Sequence, residues 1–318
     1  MQEINRSKNA VSLHGSKPKR NIIGKLWRHR YLYLMVLPGF LTVLIFNYFP
    51  MYGILIAFKD FSAAQGIWGS DWVGLKYFKT FFNDPMALRV LKNTLLLGLY
   101  SLLWSFPAPI VLALLFNELK SKRFKKFVQT VSYFPHFISI VIVAGLITMY
   151  TAREGIFNRI ITFFGGEPIM FLLESDWFRT IFITSGIWQG VGFGCIIYLA
   201  AMSGIDTTLY DVAEIDGAGR WKKVVHVTWP SIKPTTIILL IFAMGGILGT
   251  DFQKVILLYN PQTYEVADVI DSYVYRQGIL GAQYSYTTAI GLFMSVISFF
   301  ILYITNWISR KVSETSLF

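Results

Sequence analysis

The sequence predicts an all-α membrane protein of six transmembrane helices, and three observations carry that reading. Of the 318 residues, 54% are hydrophobic and 15% charged, whereas charged residues make up about a quarter of a soluble domain. Mean hydropathy is positive, at +0.51. Lys and Arg fall in short blocks between long uncharged apolar stretches, as they do when lipid covers the hydrophobic surface.

Crossing a hydrocarbon core of about 30 Å takes about 20 helical residues, and backbone groups in lipid must bond within their own segment. Spans are expected at 32–55, 94–116, 131–150, 179–201, 235–251 and 287–308. Eight basic residues precede the first, which resembles a signal peptide, but its apolar run is too long for a cleaved segment. No small-x-small site follows Asn47, Tyr48, Phe49 and Pro50, so an uncleaved span is expected. The fifth is the shortest and holds Gly245, Gly246 and Gly249, which suit close packing against protein. Cys195 lies inside the fourth and reads as a small buried packing residue; one cysteine permits no disulfide within the chain. The organisation expected is a basic cytoplasmic segment at 1–31, the first span and an external loop at 32–92, a core membrane domain at 93–310 and a cytoplasmic tail at 311–318.

Orientation follows from the excess of Lys and Arg in cytoplasmic loops. With the N-terminus inside, 19 of the 29 basic residues fall on the cytoplasmic side, so both termini are expected there. The net charge of +11 therefore reads as a topology signal, and nucleic acid is not expected as a partner. The outer loops near 58–92, 151–178 and 252–286 are rich in aromatic residues such as Trp72, Tyr77 and Trp177, which suit either a membrane-interface belt or a docking partner.

The cytoplasmic loop 202–234 holds the most unusual stretch. Thr207 and Thr208 open a short helix over 207–215, with Leu209, Val212, Ala213 and Ile215 as its apolar side. Gly217 and Gly219 break it, and a second short helix over 220–229 is expected to stop against Pro230. The result is a projecting knob with small residues that let a partner approach; the alternative is an ordinary helix connection.

Residues 211–230 resemble the EAA loop of binding-protein-dependent ABC importer permeases. Ala213, Asp216, Gly217, Ala218, Val227 and Pro230 fit that pattern, and Asp211, Val212 and Trp229 stand for its Glu, first Ala and Leu. Pro50, Met51, Tyr52, Gly53 and Ile54, together with Trp72 to Leu75 and Tyr273 to Arg276, are similar to the branch serving polysaccharides and complex oligosaccharides. The resemblance implies a type I importer permease in the cytoplasmic membrane of a bacterium. Its implied partners are a second permease, two ATP-binding subunits that hold ATP and Mg, an extracytoplasmic solute-binding protein and an oligosaccharide. It further implies that Asp211, Ala213, Asp216, Gly217, Ala218 and Pro230 couple to the ATPase.

The chain has no Gly-x-x-x-x-Gly-Lys-Ser/Thr phosphate loop, so ATP hydrolysis, and any enzyme activity, is expected in separate subunits and no cofactor in this one. Polar residues within spans are candidates for a wet pathway. Trp188 and Gln189 lie in the fourth span, and Thr250 and Asp251 end the fifth. By the resemblance, Trp188, Gly190 and Phe193 fall where maltose-type permeases place sugar contacts, and Thr250 with Asp251 near a second such cluster. Interhelical hydrogen bonding and aromatic packing are the alternative. A secondary ion-coupled transporter of a small polar solute is the competing function, but it would need several carboxylates deep in spans. His136 and His226 read as helix-end packing and a solvated loop.

Overall fold

The computed structural model describes residues 27–313; the basic segment before residue 27 and the tail after 313 lie outside the described residues. Two units are defined, 1–53 and 54–318. Within the first unit, the helix Arg30–Val43 carries Pro38 in its interior and passes into a π turn, Leu44–Tyr48.

Among the described residues six helices are long and apolar enough to cross a membrane: Arg30–Phe58, Pro85–Asn117, Ile140–Phe163, Ser175–Ser203, Arg220–Gly245 and Tyr284–Lys311. Their number and order match expectation, but the second starts at Pro85 instead of 94, and the third and fifth differ from expectation at both ends. The third span starts at Ile140, not 131. Residues Lys122–Tyr133 form a separate basic amphipathic helix, Pro135 sits in a 3-10 turn, and Ser139 caps the new helix by accepting from the Ile142 N–H. The fifth is continuous from Arg220 to Gly245, so Pro230 does not stop a helix. A π turn at Val224–Thr228 runs directly into Trp229–Gly245, and the helix passes Pro230 without ending. Gly246 ends that helix, and Asp251 belongs to the start of the next one, Phe252–Leu258.

Three apolar clusters stack along the bundle of the second unit. One joins Phe81, Val90, Leu248, Ile270, Tyr273 and Ile290 near the start of the second and sixth spans. The middle one joins Leu97, Phe178, Phe182, Val255 and Val269. The third joins Ile110, Phe116, buried Cys195, Tyr198, Met202 and Ile232 near the end of the second span and the start of the fifth. Close approaches between them need glycine. A Cβ on Gly192 would lie 1.8 Å from the Ser132 carbonyl oxygen, and one on Gly98 would lie 2.0 Å from that of Ile247. Gly192 thus lets the amphipathic helix Lys122–Tyr133 rest on the fourth span, and this contact sets the height of Pro135 and His136.

Candidate functional site

Two places gather the candidate residues. The first is the connection between the fourth and fifth spans. Asp206, not a threonine, caps the helix Thr207–Ile215, its Oδ1 accepting from the Thr208 N–H at 2.9 Å. The helix closes in a Schellman turn: the Gly217 N–H donates to Glu214 O at 3.0 Å and the Ala218 N–H to Ala213 O at 2.8 Å. Gly217 has φ +73°, the left-handed region that glycine enters without penalty. The chain then turns through Gly219 into Arg220–Lys223.

Side chains fix the angle between the two arms. The Tyr210 and Thr228 hydroxyls are 2.9 Å apart, and Lys223 Nζ donates to Glu214 Oε2 at 2.6 Å. That hydrogen bond, and then the Lys223 charge, holds the Glu214 carboxyl below its ordinary value. The outer surface of the knob is left uncovered. Ile215 is 85% and Trp221 77% exposed, with Leu209 and Val212 also exposed. The expected apolar side of the helix therefore faces away from the bundle core. Asp211 and Asp216 are exposed beside it, and the Asp211 carboxylate takes part in no ion pair among the described residues.

The second place is a cleft of about 350 Å³ lined by Ser101, Ser105, His136, Gln189, Gly190, Asp251 and Lys254, among others. Gln189 is fourteen residues from either end of Ser175–Ser203, and Ser101 sixteen from either end of Pro85–Asn117, so the cleft lies at mid-depth of both spans. Residues 186, 189, 190 and 193 share one helical face by their i, i+3, i+4, i+7 spacing. Gly186, Gln189 and Gly190 line the cleft directly. Phe193 reaches it through His136, with which it stacks at 4.0 Å and 5°. Gln189 Nε2 donates to Ile138 O at 3.1 Å, tying the fourth span to the start of the third.

Asp251 Oδ1 caps Phe252–Leu258 by accepting from the Lys254 N–H at 3.3 Å. Thr250 lines an adjoining cleft of about 360 Å³ that shares Ser101, Ser105 and Asp251, and both its N–H and hydroxyl donate to Asp271 Oδ2 at 3.1 Å. Trp188 is not brought to this place. It points about 100° round the helix from Gln189, into a separate apolar cleft with Tyr150, Phe157 and Thr184. Lys254, His136, Ser101 and Ser105 were not among the expected pathway residues. Lys254 belongs by sequence to an outer loop, and only the turn back at 246–251 carries it inward.

Fold and sites together define a multi-pass membrane permease with a helix-turn-helix knob at one end and a polar cleft at mid-depth. The model of the binding-protein-dependent transport system inner membrane component family matches residues 105–314, and the chain belongs to that family. It is 44% identical to Protein LplB of Bacillus subtilis (strain 168), over 92% of each chain. It is 45% identical to the polygalacturonan/rhamnogalacturonan transport system permease protein YteP of the same organism, over 97% of this chain and 96% of that one. Among solved structures, a chain of a bacterial ABC transporter involved in import of the acidic polysaccharide alginate superposes with TM-score 0.86 at 43% identity, covering 92% of this chain and 99% of that one.

Proposed function

We propose that this chain is one of two permease subunits of an ABC importer that moves an oligosaccharide across the cytoplasmic membrane, driven by ATP hydrolysis, with its Mg, in two separate subunits. The observation that carries the coupling role is the knob: a rigidly braced turn whose apolar Leu209, Val212, Ile215 and Trp221 are uncovered next to a free Asp211. An exposed apolar patch rimmed by charge marks a protein-binding surface. The excess of Lys and Arg supports a cytoplasmic position for the knob and both termini, on the side where an ATPase works.

In this reading ATP binding closes the ATPase pair and pulls the knob around Gly217. The fourth span, which ends at the knob, and the fifth, which begins there, move with it and open the cleft to the outside, where a solute-binding protein delivers the sugar. Gln189, Gly190, Phe193, Thr250 and Asp251 border the path, and the polar lining suits hydroxyl groups. Support for a glycan comes from YteP, named for polygalacturonan and rhamnogalacturonan, and from the alginate transporter, also solved with an alginate pentasaccharide-bound periplasmic protein.

Proteoliposomes test this. Oligosaccharide uptake is expected only when both permeases, the ATP-binding subunits, ATP and loaded binding protein are present. Uptake by this chain alone, driven by an ion gradient, would replace the proposal with secondary transport.

A further inference from the structure

Lys254 is 2% exposed and lines the mid-depth cleft. Its ammonium donates one hydrogen bond, to Phe182 O at 2.8 Å, and lies 4.7 Å from the centre of the Phe182 ring. Room for it is made by Gly186, where a Cβ would lie 3.4 Å from Nζ. An ammonium carries three N–H donors, and this one forms no ion pair; those among the described residues are Lys76–Asp60, Lys223–Glu214 and Arg276–Asp268. The nearby Asp251 carboxylate is used as a helix cap. A charge at membrane depth is costly and is retained where it meets a partner or a wet pathway.

From this geometry we infer that Lys254 is a carboxylate-reading subsite, and that the transported glycan is acidic, carrying uronate residues. The inference rests on the oligosaccharide reading above and adds its charge class. A uronate presents both kinds of group that the cleft can satisfy. Its carboxylate accepts from the Lys254 ammonium, and its ring hydroxyls reach Asp251 and the Gln189 carbonyl oxygen, which is left free when Nε2 bonds Ile138. The stacked His136 and Phe193 rings border the same space. A neutral sugar would leave the ammonium facing hydroxyls alone.

The test uses the reconstituted complex with loaded binding protein and two probe mixtures: acidic oligosaccharides prepared from pectin and alginate, and the same mixtures after carboxyl reduction. Uptake is read by mass spectrometry, and each variant is compared with wild type within one substrate, so selectivity of the binding protein cancels. Lys254→Gln keeps a donor for Phe182 O but removes the charge, Lys254→Met removes both, and Lys254→Arg keeps the charge. Wild type is expected to import acidic chains. The Gln and Met variants should lose about ten-fold or more of that uptake, as expected for a charge-assisted hydrogen bond. Arg should retain most of it.

Normal acidic uptake by the Gln variant, or equal losses for both mixtures, would overturn the proposal. Failure of both Gln and Met complexes to assemble would make Lys254 a structural tie and overturn it as well. Import of neither mixture by wild type would strike the oligosaccharide reading beneath it.

Discussion

The knob and the cleft are built in opposite ways. The knob is made by one contiguous stretch, from the Asp206 cap to Lys223, and its decisive groups point outward. The cleft draws Ser101, His136, Gln189 and Lys254 from four segments and turns them inward. A contiguous device can tolerate change in the bundle as long as its own turn survives. A composite one depends on every contact that sets the height of its parts.

Substitutions at neighbouring glycines of the fourth span break that comparison most sharply. Gly192→Ala should cost about 3 kcal/mol or more, because its Cβ would meet backbone that cannot move aside; the measurement is the yield and thermal stability of purified complex. Gly190 has nothing within 4 Å of its would-be Cβ. Gly190→Leu should therefore assemble like wild type yet fill part of the cleft and lower uptake severalfold; unchanged uptake would remove the cleft from the pathway.

A middle-sized effect is expected at Asp211. Its exposed carboxylate is proposed to meet a basic group of the ATP-binding subunit, so Asp211→Ala should lose about 1.5 to 3 kcal/mol of that contact. Titrating ATPase subunit onto purified permease reads this as weaker binding with unaltered membrane insertion.

The smallest effect concerns the brace inside the knob. The Glu214 carboxyl is held below its ordinary value by Lys223, so the pair's contribution is fully present above the ordinary carboxylate pKa and is lost as pH falls through the lowered one. Coupling should thus show no titration of the Glu214 carboxylate between about pH 6 and 8, near which only groups such as histidine change charge unperturbed. Because the Glu214 carboxylate is exposed, Glu214→Gln should change coupling least of the variants described.

Much of the knob was legible because its signals are local. Gly217 and Gly219 mark the turn, and the helix over 207–215 falls where expected. Its cap was misassigned because Asp206, one residue earlier, competes with the threonines as an acceptor. Pro230 looked like a stop, yet the π turn before it lets the helix run on. The cleft was legible only in pieces. Gln189, Gly190 and Asp251 stand out as polar or small residues in apolar runs, but Trp188 beside them points elsewhere. Lys254 sits in a segment whose charge reads as an outer loop, and nothing local announces the turn that buries it. The start of the third span was misplaced because Lys122–Tyr133 shares its apolar residues while lying on the fourth span through Gly192.

The central claim is that the knob transmits ATP-driven motion, and Gly217→Asp tests it most directly. The residue has φ +73° and open space beside it, so an aspartate brings both backbone strain and a charged bulk to the surface proposed to dock. In reconstituted complexes, ATP hydrolysis is measured with and without loaded binding protein. Little or no stimulation is predicted for Gly217→Asp, with the permease pair still inserted in the membrane. Wild-type stimulation in that variant would contradict the account.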